Sequence, residues 1–159
     1  MDTALAFGEL GNGLPVVEHR QRKFQSHLLT QQRKAKFINY IKQRDLSQLA
    51  LIRDTLGVDE YEKEKARLFA RFDAGEYGFY GPVIQKALTQ APEFDASGKM
   101  TRMPDIEAFS MFVACIFDCT PDDAMILLAE RAGDVSPIIA RVLYESMPTV
   151  KTGGSDPNG

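Results

Sequence analysis

The chain has 159 residues, 44% of them hydrophobic, no tryptophan and a net charge of −3. That length can bury a real core without disulfides or metals, and the composition falls in the ordinary globular range, away from the disordered classes. No apolar run reaches the roughly 18–20 residues that span a bilayer, and the N-terminus lacks the basic head and apolar middle of a signal peptide, so a cytoplasmic protein without a membrane partner is expected.

In chain order, residues 1–15 read as a flexible glycine-rich arm, 16–148 as a single helical domain and 149–159 as a disordered tail without apolar periodicity. Phe24, Leu28, Gln31, Ala35, Ile38 and Ile41 recur at three-to-four spacing, which predicts a long helix from about Glu18 to Gln43. Asp45 then reads as the cap of a short helix carrying Leu46, Leu49, Ile52 and Leu56, with Gly57 as its left-handed stop. Asp59 and Glu62 have capping-box spacing and predict a further helix through Leu68, Phe69 and Phe72. The stretch Asp73 to Pro82 holds three glycines and three aromatics. It predicts a structured turn pinned by Tyr77, Phe79 and Tyr80, and matches neither a dinucleotide fingerprint nor a P-loop.

Pro82 suits the first turn of a helix that runs until Pro92, and a loop with Gly98 as its turn point is expected from Ala91 to Met103. After Pro104 a wide apolar face (Ile106, Phe109, Phe112, Val113, Ile116, Phe117) predicts another helix. Thr120-Pro121-Asp122-Asp123 ends it and starts the next: threonine as cap, proline at the first position, acids where the helix dipole favours them. Gly133 reads as the following stop, Asp134 or Ser136 as a cap, and Pro137 as a first-turn residue of the last helix. The predicted fold is all-α, a compact bundle of about six to seven short and medium helices with disordered termini.

Charge is uneven. Between Val16 and Arg44 eight basic residues face the single acid Glu18, a segment charge of +7 that leaves −10 for the rest. Arg20, Arg22, Lys23, Arg33, Lys34 and Lys36 form the candidate basic face. Such asymmetry points to phosphates, or equally to the acidic remainder of the same chain or a second subunit. Cys115 and Cys119 lie four apart in an apolar segment and read as small buried hydrophobes. His19 and His27 match no zinc spacing with them, and neither histidine has a plausible local partner for catalysis. No catalytic motif occurs. A non-enzymatic protein without metal or cofactor is expected.

The succession of a charged helix, Phe72-Asp73-Ala74-Gly75-Glu76-Tyr77-Gly78-Phe79-Tyr80-Gly81-Pro82, a short helix from Ile84 to Leu88, an apolar helix, Thr120-Pro121-Asp122-Asp123 and a final helix resembles the small helical tail assembly chaperones of tailed bacteriophages. The likeness covers roughly Asp59 to Pro148. It implies a viral protein of the host bacterial cytoplasm that binds the tape-measure protein and keeps it soluble until tail-tube protein polymerises around it. A homo-oligomer is a further open partner. Such a role asks for an apolar groove that covers amphipathic helices; Phe109, Phe112, Phe117 and Met125 are the candidates, and surplus exposed apolar surface is the expectation. The alternative is a phage structural or nucleic-acid-associated protein that meets phosphates through the basic segment 16–44.

Overall fold

The computed structural model describes residues 14–146. Its elements are β1 (Val16–His19), β2 (Arg22–Gln25), α1 (Gln31–Leu56), α2 (Val58–Asp73), α3 (Pro82–Leu88), β3 (Glu93–Phe94), β4 (Met100–Arg102), α4 (Ile106–Phe117), α5 (Pro121–Glu130) and α6 (Ala132–Glu145). The described chain is 64% helical with two small antiparallel sheets, so it is mostly helical rather than all-α. It divides into two compact units, residues 14–33 with 113–146 and residues 34–112. The expected arms at 1–15 and 149–159 fall outside the described residues except for Leu14, which is buried, and Pro15, whose carbonyl accepts from the amide and hydroxyl of Ser26.

In the first unit the start of the predicted long helix is instead a hairpin. Val17 opposes Phe24 across β1 and β2, and both are buried. The two-residue turn places Arg20 at φ 53° and Gln21 at φ 65°, as a tight hairpin turn requires. Neither residue favours the left-handed region, which costs on the order of 1–2 kcal/mol per residue, so sequence gave no turn signal. The helix begins only at Gln31, where Thr30 caps it by accepting from the Arg33 amide at 3.2 Å. Near the other end of this unit the Thr120 hydroxyl accepts from the Asp123 amide at 3.1 Å, with Pro121 at the first turn of α5, as predicted. Gly133 is no stop: Arg131 forms the junction, Gly133 sits in the first turn of α6 and Pro137 lies inside that helix. The buried Val135, Ile138, Ile139 and Val142 give α6 its inward face.

In the second unit α1 continues past Asp45 without a break. An aspartate costs little inside a helix, Leu46 and Leu49 extend the apolar stripe, and the Asp45 carboxylate accepts from the Tyr77 hydroxyl. Gly57, at φ 97°, ends α1 and caps α2, the stop that the sequence predicted; Asp59 and Glu62 form no capping box, and no side chain caps this terminus. Lys42 lies over the Phe72 ring and Arg53 over the Tyr61 ring, at 5.1 and 5.4 Å, so the end of α1 and α2 run antiparallel. The aromatic turn buries Tyr77 and Phe79 but leaves Tyr80 exposed. Gly81 is required there, because a Cβ would stand 2.6 Å from the Glu76 carbonyl oxygen.

Helix α3 ends at Leu88, short of Pro92. Arg102 donates to the carbonyls of Lys86 and Thr89 at 3.0 and 3.1 Å, satisfying groups that a helix end leaves open. The expected loop contains the β3–β4 hairpin, closed by Asp95 accepting from the amides of Ser97 and Lys99 and turning at Gly98, φ 87°. Phe112 sits in the core of this unit with its ring centroid 5.4 Å from Phe37 and 6.3 Å from Phe79.

Candidate functional site

The predicted basic face is distributed over a hairpin and a helix, and much of it is tied to carboxylates of its own unit. Arg20 donates to both oxygens of Glu130 at 2.9 and 2.8 Å, and His19 Nε2 donates to the same carboxylate at 2.7 Å. Arg22 grips Asp123 bidentately at 3.0 and 3.0 Å. Arg33 binds Asp118 and the Cys115 carbonyl, the latter at 2.8 Å. The hydrogen bond from Arg22 holds the Asp123 carboxyl below its ordinary range, and that from His19 does the same for Glu130. Lys34 lies over the Phe79 and Tyr80 rings at 5.3 and 5.1 Å in the other unit. Lys23 and Lys36 are exposed.

Both histidines therefore have partners that the local sequence does not reveal. His27 Nδ1 donates to the Ile116 carbonyl at 3.0 Å, and its Nε2 stands 3.7 Å from Asp118. These are contacts across about 90 to 110 residues of chain, where local spacing carries no signal. Cys115 is buried and Cys119 half-buried, and no disulfide joins them. Burial pushes the Cys119 thiol up to about 11, which keeps it protonated and a poor nucleophile at neutral pH. Among the described residues no group of three or more histidine, cysteine or acidic side chains could hold a metal ion, and no helix is long and apolar enough to cross a membrane.

The proposed apolar groove needs correction. Phe112 and Phe117 are 0% and 3% exposed, so neither offers a surface to a partner. Phe109 is half-buried with its ring 6.1 Å from Phe112; Met125 alone of the four is exposed. Aromatic residues at helical spacing filled the interior, which is what burial of 150–250 Å² per ring favours.

Most of the exposed large apolar side chains lie elsewhere, within residues 34–112. Leu51, Leu56, Val58 and Phe69 are exposed on α1 and α2, Tyr80 on the aromatic turn, and Phe94, Met100, Met103 and Ile106 along β3, β4 and the start of α4. The first unit exposes only Val16, Met125 and Tyr144 among its described large apolar side chains. A shallow cavity of about 170 Å³ opens between α1 and α2, lined by Leu46, Leu49, Ala50, Tyr61 and Phe69 with Arg53 and Lys65. Chemically, these surfaces can exclude water from an apolar partner and position no nucleophile or base. No family model, curated protein or solved structure matches the chain.

Proposed function

We propose that the chain is a non-enzymatic binding protein whose second unit covers amphipathic segments of a protein partner, and that it acts as a phage tail assembly chaperone on the tape-measure protein in the host cytoplasm. The observation that carries the reading is the set of nine exposed large apolar side chains within residues 34–112, apolar surface that a partner's amphipathic segment can cover. The resemblance of the Asp59 to Pro148 pattern to tail chaperones supplies the partner. The phosphate-binding alternative is weakened because Arg20, Arg22 and Arg33 are engaged with Glu130, Asp123 and Asp118. Co-expression with a tape-measure protein tests it. A complex that survives high salt is expected, since apolar contacts withstand salt. No complex at any salt, together with a nucleic-acid shift that collapses as salt rises, overturns it.

A further inference from the structure

The β1–β2 hairpin is closed by a turn that its residues do not favour and is fastened by a helix far along the chain. Arg20 and Gln21 are consecutive, neither is glycine, asparagine or aspartate, and both sit in the left-handed region, at φ 53° and 65°. The fastening comes from α5 and the residue behind it. The Glu130 carboxylate accepts from Arg20 at 2.9 and 2.8 Å and from His19 at 2.7 Å, Asp123 accepts from Arg22 at 3.0 and 3.0 Å, and Arg131 donates to the Glu18 carbonyl. This clasp faces water: Arg20 is 61% and Glu130 43% exposed, and ion pairs open to solvent contribute little each. A strained turn and an exposed clasp are therefore of comparable size and opposite sign. The apolar seat beneath them is small. Of the strand residues only Val17 and Phe24 are buried, and Phe24 lines a cavity of about 70 Å³ with Ile126 and Leu127 of α5.

We propose that the hairpin is a strap under strain, which opens from α5 as one piece while α5 and α6 stay folded, and that Glu130 is the catch that holds it shut. Backbone outliers persist where their surroundings over-determine them. Here the turn is held by one carboxylate that takes three hydrogen bonds from Arg20 and His19. Elements with few buried apolar side chains are the ones that open locally below the global unfolding free energy, and two buried residues in eight place the hairpin among them. Opening uncovers Val17, Phe24 and the parts of Ile126 and Leu127 that line the cavity, an apolar site hidden in the closed unit. The strap is independent of the function proposed above, because every group in it lies within residues 14–33 and 113–146.

Native-state hydrogen exchange of the full chain tests it, reading the Val17 and Phe24 amides against those of α5 and α6. The samples are the unaltered chain, Glu130→Ala, Gln21→Gly and the two combined, with folding checked by circular dichroism. Glu130 and Gln21 are exposed, so neither substitution opens a hole in the core. In the unaltered chain the hairpin amides are expected to exchange faster than those of α5 and α6. Glu130→Ala is expected to speed them by about fivefold, and Gln21→Gly to slow them by about threefold, because glycine is at ease at that positive φ. The combined variant is expected within about twofold of the unaltered rate. A hairpin stapled without strain behaves oppositely at Gln21, since glycine then only adds freedom to the open chain. Hairpin amides that exchange in step with α5 and α6, indifference to Glu130→Ala, or unchanged or faster exchange in Gln21→Gly overturns the proposal. Gln21→Gly decides by itself if Glu130→Ala does not fold.

Discussion

The hairpin unit, residues 14–33 with 113–146, ties three arginines to its own acids: Arg20, Arg22 and Arg33 each meet a carboxylate carried about 85 to 110 residues later. The 34–112 unit leaves nine large apolar side chains exposed. A basic segment that looks like a binding site in sequence can thus be partly consumed by folding. Three arginines behind the segment charge of +7 are spent on carboxylates of their own unit, and the proposed partner surface is the set of apolar side chains exposed within residues 34–112.

That contrast can be broken by substitution, beginning with the core. Phe112→Ala removes a fully buried ring packed on Phe37, Phe79 and Phe109 and is expected to cost about 3–5 kcal/mol in guanidinium unfolding. Loss below about 1 kcal/mol would place this residue at a surface, as the groove expectation required. Gly81→Ala forces a Cβ into the Glu76 carbonyl and is expected to cost about 1–3 kcal/mol. Tyr77→Phe leaves the half-buried Asp45 carboxylate without its hydroxyl donor, an expected loss of about 1–3 kcal/mol read from the same unfolding curves.

Acid separates the units next. Asp123 and Glu130 have carboxyls held below their ordinary values of 3.8 and 4.5, so their contribution is present in full above those values and is lost as pH falls through the lower folded values. Faster amide exchange at Val17 and Phe24 below about pH 4 is expected, and Arg20→Ala with Arg22→Ala should remove most of that pH dependence. Unchanged dependence in the double variant would show that the pairs do not hold the hairpin. The smallest stability effect is reserved for the exposed face: Leu51→Ser and Leu56→Ser should change unfolding by no more than about 0.5 kcal/mol, while weakening retention of the tape-measure partner.

Sequence pattern located most helices because caps and breakers act locally. Gly57, Pro82, Gly98 and the Thr120-Pro121 pair each did in the fold what their backbone preferences dictate. The β1–β2 hairpin was hidden because Arg20 and Gln21 are poor left-handed residues; Arg20 is held by Glu130, far along the chain. Asp45 misled for the same reason, since Tyr77 rather than a helix end accounts for its carboxylate. The apolar partner surface was expected on α4 and α5, whereas most of the exposed large apolar side chains lie on other stretches of residues 34–112. Helical periodicity marks a face as apolar without saying whether the fold covers it, and Phe112 and Phe117 were covered while Leu51, Leu56 and Met103 were not.

Hydrogen exchange of the chain alone and in complex with a tape-measure protein tests the division of labour most directly. The account predicts that new protection falls within residues 34–112, on the exposed stretches around Leu51 to Phe69 and Phe94 to Ile106, with the hairpin and α5 unchanged. Protection concentrated on Arg20 to Lys36 or on α5, with residues 34–112 unaffected outside that basic stretch, would contradict it.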